Sequence, residues 1–265
     1  MTPVLFIHGL WIHSSAWRPW QDLFEEAGYD AQAPGWPGDG ATVEETRAHP
    51  ERLAGIGVRA ITDHYAGIAA RLPETPIVIG HSFGGLVAQK LLAAGVARAA
   101  VAIDPAPIKG VRALPFAQIR SALPVVSKKA NADRSVSLTP RQFRYGFGNA
   151  ISRTESDRLH RQYTIPGPGR PVFELTAAKK DASSPTEVDL DDLRRGPLLV
   201  MGGSRDHTIP EIVARQAALL YEPGLHTSYR RMDGRGHSLV FDSGWETVAK
   251  TALEWVRQNE PSVAR

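Results

Sequence analysis

The feature that most constrains this chain is a serine, Ser82, with a glycine two positions away on either side. The apolar run 76–79 precedes this turn and the run 86–93, whose composition is typical of a helix, follows it. A turn this tight predicts a positive φ at Ser82, and a side chain at Gly80 or Gly84 collides with the adjoining strand or helix. The turn therefore places the hydroxyl above the edge of a sheet, where the free N–H groups and dipole of the helix point.

An acidic residue and a histidine follow two later strand-like runs. Asp206 comes after residues 197–201, and His237 comes after residues 227–232. The carboxyl ends of parallel strands meet at the edge of the sheet where Ser82 emerges. A serine, a histidine that takes its proton and an acid that orients the histidine are the parts of a nucleophilic triad. We therefore predict Ser82, His237 and Asp206 as catalytic residues.

The order serine, aspartate, histidine and the run His8-Gly9-Leu10-Trp11 after the first strand give the chain a family resemblance. It resembles the α/β-hydrolases of the carboxylesterase type over nearly its whole length. The resemblance implies that the backbone N–H groups of Leu10 and Phe83 form an oxyanion hole, each contributing roughly 3 kcal/mol to the rate. Residues 8–17 also resemble the branch that contains plant methyl esterases and hydroxynitrile lyases.

The position of the acid is open to one alternative. Some members of the family carry it after an earlier strand, where this chain has Asp104 at the end of the run 99–103. We favour Asp206 over Asp104.

Strand-like runs alternate with helix-like runs, and this alternation predicts an α/β fold. The expected form is the α/β-hydrolase fold, a mainly parallel sheet of about six strands with helices on both faces and a helical cap insertion. The strands are expected at residues 3–8, 29–33, 76–80, 99–104, 197–201 and 227–232. The helices are expected at residues 16–27, 57–72, 84–94, 211–221 and 244–259.

About ninety residues after Asp104 do not show this alternation, because prolines divide them into short helical pieces. Thr139 and Pro140 predict the start of one such piece, as a cap and a first-turn proline. In the family an insertion at this point is a cap over the active site. We therefore predict a core domain of residues 1–105 and 196–265 and a helical cap of residues 106–195, which we call the inserted segment.

Four aromatic residues are candidates for substrate contacts. Trp11 and Trp36 stand in loops at the active-site edge, and Phe143 and Phe147 belong to the inserted segment. These residues predict a largely apolar pocket.

Composition limits the remaining possibilities. The 265 residues contain no cysteine, which excludes disulfides and a thiol nucleophile. The apolar runs are too short to cross a membrane, and the first strand begins almost at Met1 without room for a signal peptide. We expect a cytoplasmic monomer or homodimer that binds a small-molecule ester, with no metal, cofactor, membrane or nucleic-acid partner.

The formal net charge of +3 is unevenly distributed, because residues 106–170 hold twelve Lys or Arg and three Asp or Glu. One interpretation is a solvated basic face. The other is a surface that steers an anionic ester toward the site.

The predicted activity is hydrolysis of carboxylic esters, including lactones, through an acyl-enzyme on Ser82. A hydroxynitrile lyase-like or cofactor-free perhydrolase activity on the same triad is the first alternative. The lyase requires a cationic side chain near the serine, for which Lys109 and Arg205 are candidates. The second alternative is a ligand-binding α/β-hydrolase with low turnover.

Overall fold

The computed structural model describes residues 1–192, 194–221 and 226–259. Within them a six-stranded sheet has the strand order β2-β1-β3-β4-β7-β8, and all its neighbouring strands are parallel. Its strands are β1 (Pro3–Ile7), β2 (Asp30–Gln32), β3 (Ile77–His81), β4 (Ala99–Ile103), β7 (Leu198–Gly203) and β8 (Thr227–Met232). All six predicted strands are confirmed.

The four central strands β1, β3, β4 and β7 are buried along their whole length. Such near-continuous apolar runs are typical of parallel strands that are covered on both faces. The edge strand β8 alternates between intermediate and exposed positions over most of its length. The core of the protein therefore lies along the centre of the sheet.

Helices of the core pack around this sheet. Helix α4 (Phe83–Ala93) contacts β3 and β4, and α9 (Glu211–Leu219) contacts β7 and β8. Helix α1 (Arg18–Glu26) contacts β2 and α10 (Trp245–Asn259), and α3 (Val58–Ala69) contacts α4. Each of these helices lies where the sequence predicts one.

One short helix of the core, α2 (Val43–Ala48), is absent from the sequence prediction. Its start is marked by Thr42, whose hydroxyl accepts a hydrogen bond from the Glu45 N–H at 3.1 Å. A threonine with a glutamate three positions later is the sequence signal of a helix N-terminus. A short 3₁₀ helix, Pro50–Leu53, follows α2.

Between β4 and β7 the described residues form four α-helices, a 3₁₀ helix (Lys129–Asp133) and a two-stranded antiparallel sheet. These elements are α5 (Phe116–Val126), β5 (Ser135–Val136), α6 (Pro140–Gly146), α7 (Arg153–Tyr163), β6 (Gly167–Pro168) and α8 (Arg170–Ala177). Pro124 lies inside α5 and does not end it. The predicted start of α6 is confirmed, because Thr139 and Gln142 form a reciprocal capping box.

The assignment of residues 1–105 and 196–265 to a core and of residues 106–195 to a cap stays a prediction. Residues 193, 222–225 and 260–265, which fall within these boundaries, lie outside the described part of the chain. Among the helices that are described, none has both the length and the apolar character needed to cross a membrane.

Candidate active site

Ser82 occupies the turn between β3 and α4 with φ of 57° and ψ of −120°. A Cβ atom at Gly80 would overlap the carbonyl of Gly84, and one at Gly84 would overlap the carbonyl of Ile7. The two glycines therefore allow the strand, the turn and the helix to approach each other closely. This approach holds the serine in a backbone conformation that residues with a side chain rarely adopt.

His237 joins Ser82 to Asp206 by hydrogen bonds. Its Nε2 atom lies 3.1 Å from Ser82 Oγ, and its Nδ1 atom lies 2.5 Å from Asp206 Oδ2. All three residues are buried. The structure thus brings the three predicted catalytic residues together in the order hydroxyl, imidazole, carboxylate.

The other oxygen of Asp206 is held by the backbone that follows it. Oδ1 accepts hydrogen bonds from the N–H groups of Thr208 at 2.6 Å and Ile209 at 2.8 Å. Burial raises the pKa of Asp206 to about 7, although a hydrogen bond with Asp104 and the two backbone N–H groups act in the opposite direction. Burial also lowers the pKa of His237 to about 4, so the imidazole is neutral at neutral pH and can accept a proton.

Asp104, the alternative acid, is fully buried beside this pair and has a positive φ of 41°. Its Oδ1 atom accepts a hydrogen bond from the Gly203 N–H at 2.6 Å, and its Oδ2 atom lies 4.0 Å from His237 Nδ1. A separation of 4.0 Å is too long for a hydrogen bond. The geometry thus pairs the histidine with Asp206.

The charge state of Asp104 follows from its surroundings. Burial, the negative charge of Asp206 and a hydrogen bond with Asp206 all raise the pKa of Asp104 well above its ordinary value. As an anion, Asp104 Oδ2 has no hydrogen-bond donor among the described residues. A neutral Asp104 would relieve the repulsion between two buried carboxylates.

The two residues predicted to supply an oxyanion hole both line a small cavity at Ser82. Phe83 is the first residue of α4, so its N–H has no acceptor within the helix. Leu10 follows the turn after β1 and is buried. Both residues border the space in which a carbonyl attacked by Ser82 would lie.

Trp11 also lines this cavity and connects it to the inserted segment. Its indole N–H donates to the carbonyl of Val136 at 2.9 Å, and its own carbonyl accepts from the Ile165 N–H at 2.8 Å. Its φ of 70° is unusual for an aromatic residue. The loop after β1 is therefore tied to residues of the inserted segment at the site itself.

The cavity at Ser82 has a volume of about 50 Å³, and a second cavity of about 360 Å³ lies beside it. The first is lined by Leu10, Trp11, Ser82, Phe83, Gln118, Ser121, Ala122, Val172, Leu175, Thr208 and Ile209. We call these the catalytic cavity and the outer cavity. Gln118, Ala122, Val172 and Leu175 line both, so side chains of α5 and α8 separate them.

The other three aromatic candidates lie outside the catalytic cavity lining. Trp36 stacks on His8 and donates its indole N–H to the carbonyl of that residue at 3.0 Å. Phe143 stacks on Phe147, with ring centroids 5.1 Å apart. The Phe147 ring packs edge-on against His237, with centroids 4.7 Å apart, so it supports the histidine from the inserted segment.

One group of possible metal ligands is found in the described part of the chain. Atoms of His81, Asp104 and His237 lie within 4.8 Å of one another, all buried. The ring nitrogens of His237 already bond Asp206 and Ser82, and burial lowers the pKa of His81. This group belongs to the Ser82 site.

Several residues of the catalytic cavity are absent from the sequence prediction. Gln118, Ser121 and Ala122 recur at helical spacing on α5, and this spacing is the sequence signal that marks a common face. Val172 and Leu175 on α8 show the same three-residue spacing. Spacing alone identifies a face without showing what that face contacts.

Comparisons with known proteins agree with this geometry. The model of the alpha/beta hydrolase family matches residues 4–251. No curated protein matches the chain.

Among solved structures, a methylesterase from Arabidopsis is similar with a TM-score of 0.68 and 14% identity, over 97% of this chain and 100% of that one. A monoacylglycerol lipase from Paleococcus ferrophilus is similar with a TM-score of 0.66 and 21% identity, over 97% and 94%. A thermophilic esterase from Thermogutta terrifontis is similar with a TM-score of 0.67 and 18% identity, over 98% and 91%. At these identities the likeness is one of fold.

Proposed function

The chain belongs to the α/β-hydrolase family, and from this premise we propose that it hydrolyses carboxylic esters with Ser82 as nucleophile. The observation that carries the proposal is the hydrogen-bonded series from Ser82 Oγ to His237 Nε2 and from His237 Nδ1 to Asp206. It opens at Ser82 onto a cavity whose lining is mostly apolar. The similar structures include a methylesterase and an esterase, and this supports the same reaction class.

In the first step Ser82 Oγ attacks the ester carbonyl carbon and its proton moves to His237 Nε2. The carbonyl oxygen becomes an oxyanion that accepts hydrogen bonds from the N–H groups of Leu10 and Phe83. The bond between the carbonyl carbon and the alcohol oxygen then breaks. The alcohol leaves with the proton from Nε2, and an acyl-enzyme remains.

In the second step water attacks the acyl-enzyme and gives its proton to His237 Nε2. The tetrahedral intermediate collapses, the carboxylic acid leaves, and Ser82 recovers the proton. Asp206 accepts the Nδ1–H of His237 throughout, which fixes the tautomer and stabilises the imidazolium that forms in each step.

The lining of the catalytic cavity favours apolar esters of small to medium size. None of the described residues that line it is Lys or Arg. Lys109 forms an ion pair with Glu187 at 3.0 Å, and Arg205 is exposed. The absence of a cationic side chain from this lining supports hydrolysis over a lyase reaction, which requires one.

The test is turnover of p-nitrophenyl esters from acetate to palmitate by the wild type and by Ser82→Ala. We expect activity that peaks at short or medium chains and is lost in Ser82→Ala. The matched control is Ser127→Ala, which removes an exposed serine and should leave turnover unchanged.

Covalent labelling distinguishes the remaining outcomes. A fluorophosphonate should modify Ser82, and peptide mass spectrometry should locate the adduct. Labelling of Ser82 without steady-state product from any ester would favour the low-turnover ligand-binding alternative. Turnover that survives in Ser82→Ala would contradict the proposed nucleophile.

A further inference from the structure

Helix α5 has one face toward the catalytic cavity, and this face carries a polar side chain. Gln118, Ser121 and Ala122 line the cavity, and Val125, one turn further on, is fully buried. The Ser121 hydroxyl has a partner, because it lies 2.8 Å from Thr208 Oγ1. Gln118 differs from Ser121 in this respect.

The side-chain oxygen of Gln118 is buried without a hydrogen-bond partner among the described residues. The residue is only 9% exposed. An unpaired buried acceptor costs stability, and native proteins contain few of them. Natural proteins accept such a loss of stability mainly at functional sites. The unpaired oxygen of Gln118 therefore points to a hydrogen-bond donor on a bound ligand.

The position of Gln118 is equally specific, because it lines both the catalytic cavity and the outer cavity. The catalytic cavity, at about 50 Å³, has room for only a few waters. The outer cavity, at about 360 Å³, falls within the range of small-molecule sites and is lined mainly by apolar side chains such as Ile108, Val111 and Leu175. A substrate larger than a few atoms would pass residues that line both cavities if it extends from one to the other, and Gln118 is the polar one among them.

We infer that Gln118 is a specificity residue that selects esters with a hydroxyl group close to the reacting carbonyl and an apolar remainder in the outer cavity. The hydroxyl donates to Gln118 Oε1 as the carbonyl reaches Ser82. A hydroxyl suits the amide in either orientation, since it both donates and accepts hydrogen bonds. The inference rests on the proposed ester hydrolysis and adds a substrate class to it.

A neutral hydroxyl fits this site better than a charged group. No described residue that lines the catalytic cavity is charged. Of the two lysines that line the outer cavity, Lys109 is paired with Glu187 at 3.0 Å and Lys179 is exposed. A buried carboxylate or ammonium group would lose its hydration there without an opposite charge. The partner of Gln118 is therefore uncharged.

The experiment compares kcat/KM for four esters, measured by proton release at constant pH. Methyl butanoate is the reference. Methyl 2-hydroxybutanoate and methyl 3-hydroxybutanoate carry the hydroxyl on the acyl side, and 2-hydroxyethyl butanoate carries it on the alcohol side. We expect the wild type to prefer at least one hydroxylated ester by about three- to tenfold, the range for one neutral hydrogen bond.

The variants Gln118→Met and Gln118→Leu remove the acceptor and keep a side chain of similar size. We expect the ratio of kcat/KM between the preferred ester and methyl butanoate to fall to about one in both. Their thermal midpoints should equal or exceed that of the wild type, because an unpaired buried polar group is lost. Ser127→Ala is the matched control, since it removes an exposed hydroxyl at the C-terminal end of α5 that lines neither cavity, and it should keep the wild-type ratio.

The outcomes separate this inference from the proposed function. Ser82-dependent turnover without preference for any hydroxylated ester would overturn the role of Gln118 and leave the esterase proposal intact. A preference that persists in both Gln118 variants would do the same. Absence of Ser82-dependent turnover on all four esters and on the p-nitrophenyl series would overturn both.

Discussion

The Oδ2 atom of Asp206 lies 2.5 Å from Nδ1 of His237. The Oδ2 atom of Asp104 faces the same nitrogen from 4.0 Å. The two carboxyl groups follow neighbouring strands, β7 and β4, at the edge of the sheet where Ser82 emerges. Both carboxyl groups are buried, but only Asp206 is within hydrogen-bond distance of the imidazole. Asp206 accepts a hydrogen bond from the imidazole, and burial together with the charge of Asp206 raises the pKa of Asp104.

This division predicts unequal effects of removing the two charges. Asp206→Asn should lower kcat by roughly 10³- to 10⁴-fold, because the amide no longer holds the correct histidine tautomer. Asp104→Asn should lower kcat by less than about tenfold, since its side chain is beyond hydrogen-bond reach of the imidazole. Steady-state kinetics on p-nitrophenyl butanoate at pH 8 measures both. A larger loss in Asp104→Asn than in Asp206→Asn would reverse the assignment of the acid.

The pH dependence follows from the raised pKa of Asp206. As pH falls through about 7 the carboxylate takes up a proton and no longer stabilises the imidazolium. The value of kcat/KM should therefore fall on the acidic side with a midpoint near 7, a property of the coupled Asp206–His237 pair. The measurement is kcat/KM between pH 5 and 9 in buffers of constant ionic strength.

Asp104 variants test the cause of that midpoint. The hydrogen bond from Asp104 lowers the pKa of Asp206, so its loss in Asp104→Ala should move the acidic midpoint to higher pH. Asp104→Asn keeps a donor and should leave the midpoint near that of the wild type. Identical profiles for Asp104→Ala and the wild type would show that Asp104 has no influence on the pair.

The close approach at the Ser82 turn predicts a large effect of one methyl group on stability. Gly84→Ala should lower the free energy of unfolding by about 3 kcal/mol, because its Cβ would overlap the backbone of β1. Gly67→Ala, within α3 where the new Cβ would make only an ordinary contact of 3.7 Å with the Arg71 side chain, should raise it by about 0.5–1 kcal/mol. Urea unfolding followed by circular dichroism measures both changes. Equal stability of the two variants would contradict the tight packing of the turn.

The separation between the two cavities predicts an effect on chain length. Ala122 lines both cavities, and Ala122→Phe should fill the space through which a longer substrate extends. We expect kcat/KM for p-nitrophenyl octanoate to fall by about tenfold or more, while that for p-nitrophenyl acetate falls by less than about threefold. Arg120→Phe places the same side chain on the exposed side of α5 and serves as the control. An equal loss of kcat/KM on both esters would show that Phe at position 122 obstructs the catalytic cavity and would contradict the role of the outer cavity.

The sequence predicted the sheet well, because each of its strands carries its own local signal. Central strands such as β3 and β4 contain apolar runs, residues 77–79 and 99–103, and the sequence predicts both strands within one residue of their observed ends. The Ser82 turn was also readable, since its positive φ follows from two glycines at fixed positions. The catalytic roles of Ser82, His237 and Asp206 stay predictions until activity is measured.

The inserted segment was read least well, because its side chains take their roles from distant neighbours. Phe147 is an aromatic residue typical of a pocket, yet its ring packs on His237. Trp36, which lies outside the inserted segment, packs on His8 in the same way. Gln118 carries no local signal beyond its helical spacing, and its unpaired oxygen is buried where α5 lines the same cavity as Leu10 and Trp11.

The sequence by itself determined the α/β alternation, the order of the three candidate catalytic residues and the Ser82 turn, since these depend on local periodicity and on steric limits at single residues. Only the tertiary structure decided which carboxyl group bonds His237, because Asp104 and Asp206 both follow strands of the sheet. Their distances to His237 Nδ1 are 4.0 Å and 2.5 Å, respectively. The tertiary structure also decided that Gln118 lines the cavity, since contacts between a helix of the inserted segment and the sheet edge join residues far apart in the chain. Distances between such residues are a property of packing, and the pattern of residues along the chain does not contain them.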